Sequence, residues 1–348
     1  MPKDLDKTYS DFAKNFKEDD FVRLSKGATF NLSGVVRFGV PTGLPQLDLH
    51  LERDGFPAGR LIEMYGYEHV GKTTLAQHAV AQYQKAGGQV LWVDTEKSFD
   101  ADRAAQVGCD TDAMWFSDAD SIEGIFRSLE YFAIEMEKAN TGKPVLAVVD
   151  SVGGSTSEWE LKKKFEGESR MGLEAKTIKL GAKRLIPKVA AAHANVIFIN
   201  HAYQSMAAFG SAQSSGGRGL KFMSSLRIEL SGKGEIFEGK GDDKIRQGQK
   251  ISVKLRKGRG SPLSHPNFST ELKVDGFDQV GSLLIAGVDT GMITTEGKQY
   301  ALAGETFTEE LWPSFLKSIG GFDVIYPVWM AQAIESGHIK KWGINASE

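Results

Sequence analysis

The stretch Gly66-Tyr67-Glu68-His69-Val70-Gly71-Lys72-Thr73-Thr74 constrains this chain more than any other. It follows the apolar run Leu61-Ile62-Glu63-Met64-Tyr65 and precedes Leu75-Ala76-Gln77-His78-Ala79-Val80. Strand, glycine-rich turn and helix, in that order, form the frame a phosphate-binding loop needs. Gly66 and Gly71 let the backbone curl so that its N–H groups point at phosphate oxygens, and the following helix adds the positive end of its dipole. Lys72 is placed to reach the β- and γ-phosphates, and the Thr73 hydroxyl to coordinate Mg²⁺. A glycine turn that merely happens to carry a lysine does not require this frame, so residues 66–74 are read as a nucleotide site.

Composition narrows the setting. With 348 residues, 41% hydrophobic and 25% charged, the chain has room for one large globular domain and a small second one. Its one cysteine, Cys109, excludes an internal disulfide and a cysteine-based zinc site, which fits a reducing, cytoplasmic setting. No apolar run approaches the roughly 18 residues of a membrane span, and Met1-Pro2-Lys3-Asp4-Leu5 lacks the apolar core of a signal peptide. The net charge of −3 does not advertise a nucleic-acid binder, but binding depends on local patches.

Along the chain, Tyr9, Phe12 and Phe16 fall at helical spacing in a polar N-terminal segment, and 34–59 is turn-rich. Apolar strand-like runs follow at 61–65, 90–94, 145–149 and 196–200, separated by helical patterns at 73–86, 121–138 and about 171–193. Short apolar strands between helices predict a parallel sheet buried on both faces. Pro187 is expected to kink or split the third helix. Strands are expected at 226–230, 250–256 and 269–274, then a mixed region with helices at 308–318 and 328–336.

Several positions carry chemistry. Asp150 stands at the tip of Val145-Leu146-Ala147-Val148-Val149, where a carboxylate beside a phosphate loop holds Mg²⁺. In Asp94-Thr95-Glu96, a strand-tip carboxylate is placed to orient or deprotonate the water that attacks a γ-phosphate; Glu96 and Asp94 compete for that role. The Ser/Gly-rich stretch 210–219, with Met206 and Phe209 before it and Arg218 and Lys221 at its end, fits a loop that meets nucleic acid: glycines admit phosphates and apolar side chains wedge between bases. Lys176, Lys179 and Lys183 share one helical face, which fits a backbone track.

These residues, taken together, resemble the bacterial RecA recombinase family. The resemblance is carried by Pro41-Thr42-Gly43-Leu44-Pro45-Gln46-Leu47-Asp48, Gly59-Arg60-Leu61-Ile62-Glu63-Met64-Tyr65-Gly66, the phosphate loop and Asp94-Thr95-Glu96. It continues through Val149-Asp150-Ser151-Val152, Arg170-Met171-Gly172-Leu173, Ile197-Phe198-Ile199-Asn200 and Gly216-Gly217-Arg218-Gly219-Leu220-Lys221-Phe222, covering about residues 20–318 in order. It implies an α/β fold: a RecA-like P-loop ATPase core (36–277) with a mostly parallel central sheet, an N-terminal helix-and-strand polymerisation segment (1–35) and a small α+β C-terminal domain (278–348).

The resemblance also implies roles. Glu96 matches the catalytic glutamate, and Asp150 and Ser151 the Walker B end. Asp100 matches an adenine-contacting aspartate, while Arg103 stands where the family has a tyrosine stacked on the base. His201 replaces a glutamine that senses the γ-phosphate, and its charge would make that switch pH-dependent. Lys257 and Arg259 match two lysines that reach the ATP of the adjacent subunit. Residues 158–172, with Arg170, Met171 and Gly172, match the first DNA-binding loop; Lys176, Lys179, Lys183 and Arg184 follow it. Residues 201–219 match the second loop, with Met206, Phe209, Gly216, Gly217 and Arg218, and look about two residues short. Phe21-Val22-Arg23-Leu24 resembles the strand by which subunits dock. The last 30 residues match nothing in the family, and no autoinhibitory tail is expected. The departures at 67–70, 103 and 201 are those of a divergent member, with a phage origin left open.

The implied activity is ATP-dependent pairing and strand exchange in a filament on single-stranded DNA, with homologous duplex as second partner and a single-strand-binding protein or loading mediator as further ones. Two rivals share the motifs: a ring-forming helicase or related ATPase motor on the same fold, and a mediator that binds nucleotide without hydrolysing it. Intact Lys72, Thr73, Glu96 and Asp150 argue against the second.

Overall fold

Alternate residues of the apolar runs face opposite sides of one sheet, and that alternation sets the architecture. The computed structural model describes residues 38–162, 172–204, 212–215, 218–239, 244–264 and 266–342. The N-terminal half of these carries β1 (Gly39–Val40), α1 (Pro45–Leu51), β2 (Phe56–Pro57), β3 (Leu61–Gly66), α2 (Lys72–Lys85), β4 (Gln89–Asp94), α3 (Ala101–Val107), β5 (Met114–Ser117), α4 (Ile122–Ala139), β6 (Val145–Asp150), α5 (Glu158–Leu161) and α6 (Leu173–Ala191). Next come β7 (Ala194–Gln204), β8 (Ala212–Ser214), α7 (Arg218–Met223), β9 (Leu226–Glu238), β10 (Ile245–Gly258), β11 (Asn267–Lys273) and β12 (Gly276–Phe277). The chain closes with α8 (Gln279–Asp289), the hairpin strands β13 (Thr294–Glu296), β14 (Gln299–Leu302) and β15 (Glu305–Thr308), α9 (Trp312–Ser318) and α10 (Phe322–Glu335).

Among the described residues the main sheet runs β12-β11-β10-β9-β3-β7-β6-β4-β5, with β8 paired to β7. From β9 to β5 every neighbour is parallel; β10, β11 and β12 add antiparallel strands at one side. Ile62, Met64, Trp92, Val148 and Ile199 point to the face covered by α2, through Leu75, Ala79 and Tyr83. Leu61, Val93, Val149 and Phe198 point to the other, covered by α4 and α6. Burying each such side chain contributes about 1.5–3 kcal/mol. Gly181 lets α6 close on α4: a Cβ there would lie 2.3 Å from the Phe126 ring.

The four expected parallel strands are present, and helix 121–138 is α4, capped by Ser121 accepting from the Gly124 N–H and ended by left-handed Asn140. Pro187 neither kinks α6 into two helices nor ends it; the helix runs unbroken from Leu173 to Ala191. Pro187 and Lys183 both lie on its exposed side, so the carbonyl deprived of its N–H partner faces solvent. Strands β9 and β10 far outrun their expected lengths because their outer halves form an exposed ladder, held by backbone pairing with no apolar signature. Short elements α1, α3, β5 and α8 were not expected from the pattern, and α10 begins at 322 rather than 328, passing through Pro327.

The region from Leu283 to Ile339 has its own hydrophobic cluster around Trp312, Trp329 and Phe307. It is fastened to the core through α1: the Gln46 N–H donates to Ser282 Oγ (3.0 Å), and the Tyr326 hydroxyl donates to Asp48. The last described residues return to the same place, where Trp342 donates to the Gly55 carbonyl (2.9 Å) beneath the Arg53 guanidinium. No described helix is long and apolar enough to cross a membrane.

Asp48 makes this fastening pH-dependent. Burial pushes its carboxyl up to about 7, against the opposing bonds from Tyr326 and Thr42. A carboxyl raised in the folded state contributes stability that is complete below its unfolded value and lost as pH rises through the folded one. Asp48→Asn should therefore gain on wild type by on the order of 2 kcal/mol between pH 5 and 8, seen as a widening difference in melting temperature. A pH-independent difference would contradict the assignment.

Candidate functional site

The phosphate loop takes its shape from what presses on it. Gly71 has φ 83°, and a Cβ there would lie 2.7 Å from Leu272 Cδ2 and about as close to the Phe277 ring, so the β11–β12 hairpin packs directly on the loop. A Cβ on Gly66 would meet the Leu230 carbonyl at 2.4 Å. The buried Lys72 ammonium lies inside the loop, donating to the carbonyls of Gly66 (3.1 Å) and Tyr67 (2.6 Å). Burial pulls its pKa down, opposed by Asp150, Glu96 and Glu68.

Thr73, one residue on, donates its hydroxyl to Asp150 Oδ2 at 2.8 Å. Burial pushes the Asp150 carboxyl up to about 6, with Glu96 and Asp94 adding to the rise and Thr73 opposing it. A crowded set of carboxylates next to a hydroxyl is what a hard divalent cation relieves. Mg²⁺ is an ion that keeps several waters and is bound through one or two protein oxygen groups together with phosphates, and the Thr73 hydroxyl and Asp150 carboxylate are such groups. The residues present fit it.

Three parallel strand tips meet beside this pair. Glu96, beyond β4, accepts from Ser151 Oγ at 2.5 Å, beyond β6, and from His201 Nε2 at 3.1 Å, on β7. Burial pushes the Glu96 carboxyl up, but these two bonds, with His201 and Lys72, outweigh it and hold it below the ordinary glutamate value. Asp94 is buried and its oxygens accept the backbone N–H groups of Glu96 and Phe99, shaping the turn that presents Glu96. Lys72, Thr73, Glu96, Asp150 and His201 therefore share one end of the sheet.

Other expected positions lie elsewhere. Asp100 caps α3 by accepting from the Arg103 N–H, and the Arg103 guanidinium reaches the Lys273 carbonyl at 3.5 Å. Lys257 and Arg259 sit at the opposite end of the sheet. Lys257 pairs with Arg227 and Gly258 with Leu226, which lies beside Ile62 at the start of β3. The phosphate loop begins after Gly66, four residues further along β3, or roughly 13 Å at the rise of a strand. Lys257 donates to the carbonyls of Lys221 (3.2 Å) and Phe222 (2.9 Å), and Arg259 to that of Phe222 (3.3 Å), closing the C-terminal end of α7. Burial, then Arg259 and Arg227, push the Lys257 ammonium down to about 8.

Lys176, Lys179 and Lys183 are exposed on α6, while Arg184 is paired with Glu130 at 3.1 Å. Gly172, with φ 79°, starts that helix. Arg170, Met171, Met206, Phe209, Gly216, Gly217 and segment 1–35 lie outside the described residues, as does everything about the Arg218 side chain.

A buried polar cluster was missed in the sequence. Fully buried Glu63 on β3 receives Arg227 Nε of β9 at 2.5 Å and Asn200 Nδ2 of β7 at 3.0 Å. The Arg227 guanidinium lies over the Tyr65 ring, and Tyr65 and Arg256 both donate to Glu229. Removing one partner of such a pair costs about 3–5 kcal/mol. The available signal was a single charge inside two apolar runs, Leu61-Ile62-Glu63-Met64-Tyr65 and Leu226-Arg227-Ile228.

Comparison with known proteins agrees with this geometry. The RecA N-terminal domain family matches residues 3–272. The chain is 31% identical over 294 residues to Protein RecA, chromosomal, of Lactococcus lactis subsp. lactis (strain IL1403), covering 84% of this chain and 73% of that protein. It is 32% identical over 294 residues to Protein RecA of Cutibacterium acnes, covering 84% and 80%, and 32% identical over 305 residues to Protein RecA of Rhodococcus opacus (strain B4), covering 87% and 83%. With a phosphate loop, a hydrogen-bonded glutamate and a hydroxyl–carboxylate pair gathered at the tips of a parallel sheet, the chain belongs to the RecA family.

Proposed function

We propose that the protein is an ATP-dependent homologous recombinase that polymerises on single-stranded DNA and pairs it with a homologous duplex, hydrolysing ATP at the joints between subunits. The observation that carries this reading is the placement of Lys257 and Arg259 at the far end of the sheet from Lys72. Cations so placed cannot serve their own phosphate loop; they fit the loop of another copy. Hydrolysis then depends on assembly.

Within one joint, Lys72 and the loop N–H groups hold the phosphates. Thr73 and Asp150 would hold Mg²⁺, which would supply neutralisation of phosphate charge. Glu96, deprotonated at neutral pH, takes the proton of the attacking water. His201, bonded to Glu96, is the γ-phosphate sensor, and 201–219 with the exposed lysines of α6 form the DNA face. Asp100 and Arg103 border the base. Among the described residues β5 is an edge strand of the sheet and exposes Trp115 and Phe116, and an exposed edge accepts an added strand; Phe21-Val22-Arg23-Leu24 of another copy is that strand. Base pairing supplies sequence specificity, so backbone contacts and stacking suffice. The setting is the cytoplasm, with a single-strand-binding protein or loading mediator as accessory partner.

Strand exchange between a single-stranded circle and a linear homologous duplex, with ATP and Mg²⁺, tests the proposal; joint molecules are the expected product. Micrographs with ATP and single-stranded DNA should show helical filaments. Closed rings with no joint molecules would favour the motor on the same fold.

A further inference from the structure

Where β3 begins, at the end of the sheet away from the phosphate loop, the chain encloses a cavity of about 360 Å³. Ile186, Val189 and Met223 give it an apolar wall. Among the described residues that line it, the charged ones are Arg60 and Arg259, and none is acidic. Both arginines are rooted in backbone bonds. The Arg60 carbonyl accepts the Val196 N–H at 3.1 Å, and the Arg259 N–H donates to the Ser225 carbonyl at 2.9 Å. Burial, then the Arg259 charge, pull the Arg60 guanidinium below its ordinary value. Two like charges lining one cavity repel each other, and a bound anion relieves that repulsion.

The C-terminal segment, for which the family resemblance offers no counterpart, supplies the remaining wall through Trp342. Its backbone N–H donates to Asp54 Oδ1 and its Nε1 to the Gly55 carbonyl, both at 2.9 Å. The Arg53 guanidinium lies 4.8 Å from the indole centroid, and Arg53 Nε donates to the Gly260 carbonyl at 2.7 Å. Gly260, with φ 80°, sits against the same indole: a Cβ there would lie 2.8 Å from Trp342 Cζ3. The residue after Arg259 is thus held between Trp342 and Arg53.

We propose that this cavity is a phosphate seat in which Arg60 joins Arg259, and that Trp342 is the positioning residue that holds Arg259 to it. A guanidinium fork offers two parallel donors to phosphate oxygens, and an apolar wall strengthens such contacts by lowering the local dielectric. The volume is at the small end of the range for ligand sites, which suits a few linked phosphates. Two sources supply that chemistry: a nucleotide held by the phosphate loop of another copy, or a free polyphosphate. The first rests on the reading of Lys257 and Arg259 as cations that serve another copy; the second does not.

Two measurements test the seat. One titrates inorganic triphosphate into full-length Lys72→Ala protein, whose own phosphate loop is disabled, with and without Arg60→Gln. The other follows DNA-stimulated ATP hydrolysis by Arg60→Gln protein, alone and mixed with Lys72→Ala protein. A loss of roughly tenfold or more is expected in at least one, the scale of a charge-assisted hydrogen bond. Lost hydrolysis that recovers on mixing identifies the nucleotide of another copy as the source. Lost triphosphate binding with hydrolysis unchanged identifies a free polyphosphate. Arg60→Gln protein that melts like wild type and changes neither overturns the proposal. Trp342→Ala should reproduce the Arg60→Gln loss while isolated subunits bind nucleotide as wild type does, and Trp342→Phe, which keeps a ring beneath Arg53, should recover most of it. Full activity of Trp342→Ala in both measurements overturns the role of Trp342. If wild type shows no DNA-stimulated hydrolysis, the recombinase reading fails by itself, and triphosphate binding alone decides the seat.

Discussion

Glu96→Gln should bind ATP, assemble on DNA, and hydrolyse at least roughly a hundredfold more slowly than wild type, the scale expected for losing a general base. The substitution keeps the shape of the side chain and an oxygen able to accept from Ser151 and His201, so the strand-tip cluster stays in place. What is lost is the negative charge and the basic oxygen. Phosphate release with saturating single-stranded DNA measures the rate, and nucleotide binding by filter retention shows that the site is intact. An unchanged rate would refute the assignment of Glu96 and return attention to Asp94, although the Asp94 oxygens already hold two backbone N–H groups.

Changing Lys257 and Arg259 together to alanine should abolish DNA-stimulated hydrolysis, by roughly a thousandfold or more, the scale of an arginine finger supplied from outside. Isolated subunits should still bind nucleotide, because neither residue lies at the phosphate-loop end of the sheet. Mixing gives the sharper result. The double variant has an intact phosphate loop, and a Lys72→Ala protein has intact cations; co-assembled on DNA, they should recover activity that neither has alone. Failure of complementation, together with loss of nucleotide binding by the double variant, would place both cations within their own subunit's site. Because they also close the end of α7 through the Lys221 and Phe222 carbonyls, the melting temperature of the double variant belongs in the same experiment.

The local parts of this protein were legible from the chain. A phosphate loop is made of neighbours in sequence, and the turn glycines, Lys72 and Thr73 do their work within one strand–turn–helix unit. The buried strands announced themselves as apolar runs because both faces of a parallel sheet are covered. Elements without such a signature were not legible: the exposed outer halves of β9 and β10 are held by backbone pairing, and Pro187 is tolerated because it faces solvent.

The amino-acid sequence by itself determined the loop, the strand-tip carboxylates and the family pattern that joins them, since each is a matter of residue type and spacing. Tertiary structure alone decided that Glu96 meets Ser151 and His201 while the Asp94 oxygens hold the backbone N–H groups of the turn. It decided that Lys257 and Arg259 stand at the wrong end of their own sheet to meet Lys72. It also brought Glu63 against Arg227, 164 residues away, with Asn200 on the same carboxylate. The reason is physical. Register between strands distant in sequence is fixed by packing both faces of the sheet at once, and no local pattern contains that register.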